Sequence, residues 1–188
     1  MESSSGSFHP TRFADVAVTI DFHCNSACRF CIVQEGMNRF GGVSYERFIA
    51  MVEENKRSGK YQRVIFTGGE VTLDKRLPSY IRAAKESGAF QYIRLQTNAR
   101  RLAHMDITRA LVEEGLNEFF VSIHGHDAAS HDDITQRKGS FDELIAGLSN
   151  IHSLGARIVT NTVMNRRNLA SLPHIVPIAA QYLSLIHI

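Results

Sequence analysis

Val16-Ala-Val-Thr-Ile-Asp-Phe22-His-Cys24-Asn-Ser-Ala-Cys28-Arg-Phe30-Cys31 joins a β-branched apolar run to a loop that holds every cysteine in the chain. The run reads as a buried strand, and the cysteines follow its C-terminal end directly. Three thiols spaced Cys-x3-Cys-x2-Cys can converge on one soft-metal centre, because so short a loop returns each sulfur to the same side.

Outward from this stretch the arrangement repeats. Gly41-Gly42 closes the loop, and Ser44 is placed to cap a helix whose apolar residues Tyr45, Phe48, Ile49 and Val52 recur with helical spacing until Gly59. Arg63-Val-Ile-Phe66 is a strand ending in Thr67-Gly68-Gly69-Glu70, and Pro78 opens a helix that runs to Gly88. Tyr92 to Gln96 is a strand ending in Thr97-Asn98-Ala99, followed by a helix from about Asp106 to Gly115. Glu118 to Ile123 leads through a His124-Gly125-His126 loop to Ser140-Phe-Asp-Glu143, a capping-box pattern opening a helix that Gly155 stops. Arg157 to Val163 is a fifth strand, and Leu169 to Ser184 a helix that Pro177 should kink.

Strand-then-helix units with short connections require a parallel sheet, since each strand needs a crossover to return in the same direction. The expected fold is therefore α/β: a partial (βα) barrel with a curved parallel sheet and about five βα units. In such folds ligands bind at the carboxyl ends of the strands. Cys24, Cys28, Cys31, Gly68, Gly69, Glu70, Asn98, Ser122, His124 and Asn161 all fall there and should share one rim.

Composition narrows the function classes. The 188 residues are 44% hydrophobic and 21% charged, with 21 Lys+Arg against 19 Asp+Glu, so no charge field of the kind that attracts nucleic acid or an anionic membrane is expected. The Arg100-Arg101 and Arg166-Arg167 pairs read as solvated surface. No apolar run approaches the roughly 18 residues a membrane span requires. The opening Met1-Glu-Ser-Ser-Ser-Gly-Ser lacks the features of a secretory signal and reads as a disordered tail over residues 1–12, before a core domain over 13–188. An odd cysteine count within eight positions fits a cluster in a reducing, cytoplasmic compartment better than a disulfide framework. The apolar end Leu183-Ser-Leu-Ile-His-Ile188 has no closing unit, which is read as a C-terminally incomplete domain with an uncovered sheet edge.

Read from spacing alone, the thiols fit a [4Fe-4S] cluster with one iron lacking a protein ligand, a zinc site completed by His23 or another histidine, or buried inert thiols. The corresponding functions are an enzyme, or an iron-sulfur or zinc-binding electron-transfer or structural module. The histidines from His124 to His131, with Asp132, raise the possibility of a second metal. The competing readings place His124 or His126 in a substrate pocket or as a proton donor near neutral pH, and His131 on the surface. Arg137 and Lys138 meet an anionic substrate group or face water.

Cys24-x3-Cys28-x-Phe30-Cys31 after the first strand, with Gly68-Gly69-Glu70 after the second, resembles the radical S-adenosylmethionine superfamily. The resemblance continues through Gln96-Thr97-Asn98, Ser122 and Asn161-Thr-Val-Met164, in order and over nearly the whole chain; the usual proline after Gly-Gly-Glu is replaced by Val71. It implies a [4Fe-4S] cluster held by Cys24, Cys28 and Cys31, with S-adenosylmethionine chelating the fourth iron. Phe30 would lie near the adenine, Gly68, Gly69 and Glu70 would receive the methionyl ammonium, and Asn98, Ser122 and Asn161 would contact the same cofactor. It also implies an electron donor of the flavodoxin or ferredoxin type, and a substrate that is a small molecule, such as a cofactor precursor, or a peptide.

Overall fold

The computed structural model describes residues 14–33, 41–182 and 185–187, so the expected N-terminal tail lies outside the described residues. Strands β1 (Asp15–Asp21), β2 (Arg63–Gly68), β3 (Tyr92–Thr97), β4 (Glu118–Ser122), β5 (Arg157–Asn161) and β6 (Leu185–His187) form one sheet in sequence order. Every neighbouring pair is parallel, and β1 and β6 are its two edges. Between the strands run α1 (Tyr45–Ser58), α2 (Leu77–Ser87), α3 (Met105–Glu114), α4 (Ala128–Thr135), α5 (Ser140–Ser153) and α6 (Leu172–Gln181). This is the expected α/β partial barrel, with one addition. The C-terminal segment read as an uncovered apolar end supplies β6, whose Leu185, Ile186 and His187 pair with Val159, Thr160 and Asn161. A strand of three residues is too short to carry a periodicity signal.

Local chemistry sets the helix ends. The Ser44 hydroxyl accepts from Arg47 N at 3.3 Å, and Gly59 closes α1 in the left-handed region at φ 58°, where a side chain would be strained. Helix α6 continues past Pro177 to Gln181, so the proline costs a ladder bond without ending the helix. The capping box expected at Ser140–Glu143 does not form. Instead the carboxylate of Asp132, in the middle of α4, accepts from Gly139 N at 2.6 Å, Phe141 N at 2.9 Å and the Ser140 hydroxyl at 2.7 Å. A carboxylate is a stronger acceptor than a hydroxyl and favours the positive end of a helix, so Asp132 takes the donors and leaves Glu143 for another partner.

Helix α4 occupies what was read as loop. Its capping box is Asp127-Ala-Ala-Ser130: Asp127 Oδ1 accepts from Ser130 N at 2.8 Å, and Ser130 Oγ accepts from Asp127 N at 3.4 Å. Its one large buried aliphatic side chain is Ile134, so no apolar stripe marked it in the sequence.

Burial alternates along the strands, which is unusual for a parallel sheet covered on both faces. Val18, Ile20, Val64, Phe66, Ile93, Leu95 and Val121 point to the helical side and pack with Phe48, Val52, Tyr80, Ile81 and Leu148 into one core. Phe48, Phe66 and Tyr80 meet there with ring centroids 5.0–6.3 Å apart, each contributing about 2 kcal/mol through buried apolar area. The other face carries Ile65, Phe120 and Val159 across its middle and polar residues at both ends. At its amino-terminal end fully buried Glu118 receives Arg63 at 2.9 Å, Arg94 at 2.6 Å and Arg157 at 3.2 Å, an arrangement that keeps this end structural. At the carboxyl end of the same face lie Thr67, Gln96, Ser122 and Asn161, where Thr67 Oγ1 donates to Gln96 Oε1 at 3.2 Å and Ser122 stands opposite Asn161.

Candidate active site at the carboxyl ends of the strands

The cysteine loop leaves β1 and is stitched to its neighbours on three sides. On the β2 side, Gly69 N donates to Asp21 O at 3.0 Å and Glu70 N to His23 O at 2.7 Å. The closeness is possible because Gly69 has no side chain: a Cβ there would lie 2.2 Å from His23 O and 2.3 Å from Phe22 O. On the α4 side, Ala27 N donates to Thr135 O and Arg29 N to Ile134 O, both at 3.0 Å, and Arg29 Nε to Asp133 O at 2.8 Å. These are last-turn carbonyls that the helix leaves without an internal partner, so the loop completes α4 as α4 holds the loop. On the β3 side, Asn98 Nδ2 donates to Asn25 Oδ1 at 2.8 Å and lies 4.0 Å from Cys24 Sγ, while buried Arg100 donates to Asn25 O.

Cys24, Cys28 and Cys31 are free thiols, each half-buried. Cys31 N donates to Cys28 O at 3.0 Å, closing a tight turn between those two, and Ser26 N points at Cys24 Sγ at 3.4 Å. Burial pushes the Cys28 thiol up to about 11, with the charges of Cys24 and Cys31 adding to it. Burial also raises Cys24, reinforced by Glu70 and Cys31. The three sulfurs therefore lie within electrostatic reach of one another, and Cys24 and Cys28 stay protonated near neutral pH until a metal displaces the proton. Among the described residues no group of three or more His, Cys, Asp or Glu side chains is already gathered around an ion position. His23, the nearest candidate for a fourth ligand, turns its ring to Asp21 at 2.8 Å. The donor set is thus three soft thiols on a short loop, which fits an iron-sulfur cluster better than a closed four-ligand zinc site. No second metal group forms from the His124–Asp132 segment.

Glu70 is not a solvated carboxylate. It is 1% exposed: Oε1 accepts from Thr72 Oγ1 at 2.6 Å, Thr97 Oγ1 at 2.8 Å and Thr72 N at 3.3 Å, and Oε2 from Asn98 N at 2.7 Å. Burial raises its pKa, against the pull of these donors. The side chain clasps the ends of β2 and β3 and so positions Gly69 and Asn98. Glu70→Gln sets an amide NH2 against that set of donors, and an expected loss of about 2 kcal/mol should appear as a lower thermal unfolding midpoint.

Phe30 meets His124 edge-on with ring centroids 4.8 Å apart, and with Arg29, Ile134, Asn165, Arg166 and Arg167 it lines a cleft of about 260 Å³. His124 is 5% exposed and burial pushes its pKa down to about 3, with His131 adding to the shift. It is therefore neutral at pH 7 and unsuited to donating a proton from an imidazolium, contrary to one expectation. His131 is buried, not on the surface, and its Nδ1 accepts from His124 N at 3.2 Å. His126 stands apart, its ring 4.9 Å from His174 and its Nε2 3.5 Å from Asp127. Arg137 and Lys138 are exposed. Arg100 and Arg101 are not the solvated pair expected: Arg100 holds the cysteine loop, and Arg101 donates to Thr72 O at 2.9 Å.

Fold and site together define an α/β partial-barrel protein with three free thiols on one loop at the carboxyl ends of its strands. Residues 19–176 match the Radical SAM superfamily. The chain belongs to that superfamily, whose members use a [4Fe-4S] cluster and S-adenosylmethionine. It is 32% identical over 156 residues to a probable GTP 3',8-cyclase of Metallosphaera sedula, covering 82% of this chain and 48% of that protein. It is 29% identical over 153 residues to the Fe-coproporphyrin III synthase of Methanosarcina barkeri, covering 81% of this chain and 37% of that one. The chain thus spans less than half the length of these relatives. The fold also matches Streptococcus suis SuiB bound to its precursor peptide SuiA, with a TM-score of 0.74 at 14% identity over 92% of this chain and 38% of that one. SuiB bound to S-adenosylmethionine matches with a TM-score of 0.70, again at 14% identity, over 92% of this chain and 38% of that chain. No helix among the described residues is long and apolar enough to cross a membrane.

Proposed function

We propose that this chain is the core of a radical S-adenosylmethionine enzyme in which Cys24, Cys28 and Cys31 each hold one iron of a [4Fe-4S] cluster and leave the fourth iron to the cofactor. The observation that carries the reading is the half-buried thiol triplet on the loop that is hydrogen-bonded to Gly69 and Glu70. When bound, cluster and cofactor supply a one-electron cleavage of the sulfonium carbon-sulfur bond, giving methionine and a 5'-deoxyadenosyl radical that removes a hydrogen atom from the substrate.

The chain's residues bind and orient. The Gly68–Glu70 main chain receives the methionyl ammonium, glycine allowing close approach of the carbonyls. Asn98, Ser122 and Asn161 offer polar groups to the ribose and carboxylate from neighbouring strand ends. Phe30, backed by neutral His124, offers an apolar edge to the adenine and helps exclude water. The electron comes from a flavodoxin or ferredoxin-type donor, and the substrate is a small molecule or a peptide, the two kinds of chemistry found among the relatives.

Anaerobic reconstitution with iron and sulfide, followed by reduction with dithionite, should give the paramagnetic signal of a reduced four-iron cluster. Adding S-adenosylmethionine should change that signal. A full cluster whose signal ignores the cofactor would instead define an electron-transfer module.

A further inference from the structure

We propose that Arg100 is a positioning residue for the cysteine loop: its guanidinium fixes the backbone between Cys24 and Cys28 in the form that receives the cluster, and its charge eases the cluster's reduction. The inference rests on the cluster reading above and extends it to a residue outside the cysteine, Gly-Gly-Glu and strand-end motifs.

Arg100 is 9% exposed, so its charge needs partners nearby. Nη1 donates to Asn25 O and lies 3.4 Å from Ser26 Oγ, both between the first two cysteines, and Nε donates to Glu143 on α5 at 2.5 Å. The backbone that presents it is strained. Ala99, fully buried and not glycine, is held at φ 60°, ψ 2°, which costs about 1 kcal/mol. That turn lets Asn98 Oδ1 accept from Arg100 N at 3.1 Å while Asn98 Nδ2 reaches Asn25 Oδ1. Asn25 is thus gripped through its side chain by Asn98 and through its main chain by Arg100. Helix α5 supports the grip from behind at Gly147, where a Cβ would lie 2.5 Å from Ala99 O. Apart from Glu143, the side-chain partners of Arg100 are atoms of the cysteine loop, so its effect should be read there. A fixed positive charge beside a cluster favours the reduced form.

The test compares wild type with R100Q and R100K. In reconstituted protein, R100Q should lose iron to EDTA about ten-fold faster, and its midpoint potential should move to a more negative value. R100K should restore the potential but only part of the iron retention, because it keeps the charge and loses the planar fork. Wild-type iron loss and potential in R100Q, or a lowered thermal midpoint with both unchanged, would overturn the proposal. If R100Q does not fold, E143Q, which removes the clamp on Nε together with a negative charge, should lose iron faster by a smaller factor while its potential moves to a less negative value, and an unchanged rate of iron loss counts against the proposal equally. A wild type that takes up no cluster would overturn the cluster reading. The apo chain then decides the loop claim by itself: iodoacetamide should alkylate Cys24 several-fold faster in R100Q, and an unchanged rate would refute it.

Discussion

Cys28→Ala is expected to abolish stable cluster binding, with reconstituted iron falling to background and no 5'-deoxyadenosine formed. Cys28 is the middle one of the three proposed ligands, and burial with the charge of its neighbours pushes its thiol up to about 11 without a metal. Removing it leaves two thiols for three iron sites, and solvent or exogenous thiols would have to fill a position flanked by α4 and Phe30. The substitution should leave the fold intact, because Cys28 is half-buried and its backbone bond to Cys31 N does not depend on the side chain. Unchanged melting with lost iron is the expected pair of results; full iron loading in the variant would contradict the ligand assignment.

Gly69→Ala should damage the site strongly although it adds a single methyl group. Its Cβ would stand 2.2 Å from His23 O and 2.3 Å from Phe22 O, and both are main-chain atoms that move only if the strand end moves. The bonds Glu70 N to His23 O and Gly69 N to Asp21 O would stretch with it. Overpacking together with weakened bonds suggests a loss of about 3 kcal/mol. For a chain of this size that lowers the thermal midpoint by roughly 6–12 °C. Cluster uptake should fall as well, since the same movement displaces the base of the cysteine loop. Gly41→Ala is the control: a Cβ there meets nothing within 4 Å among the described residues, and the midpoint should not change. Equal melting of the two variants would refute the close approach at Gly69.

Much of this was legible in the residues. Each strand from β1 to β5 announced itself as a short β-branched or aromatic run ending in Gly, Asn, Ser or Cys, and the spacing of units dictated a parallel sheet with its chemistry at one end. Helix α4 was not legible: Ala128-Ala-Ser-His-Asp-Asp-Ile-Thr135 buries His131, Ile134 and Thr135, a polar set with no stripe, and its cap runs Asp-x-x-Ser. The role of Arg100 was equally hidden, because a basic pair after a strand has the same local pattern whether it faces water or reaches across 75 residues to Asn25. Glu70 was found, but its orientation was not: two threonine hydroxyls and two backbone N–H groups turn its carboxylate into the fold, and a sequence window cannot specify which way a side chain turns at a strand end.

The thiol triplet and the strand ends around it are proposed to bind S-adenosylmethionine and cleave it reductively. The direct measurement is chromatographic quantification of 5'-deoxyadenosine after incubating the anaerobically reconstituted chain with S-adenosylmethionine and dithionite. Product should depend on reductant and be absent from Cys28→Ala. A four-iron cluster that is complete and reduced, yet yields no 5'-deoxyadenosine, would contradict the proposal.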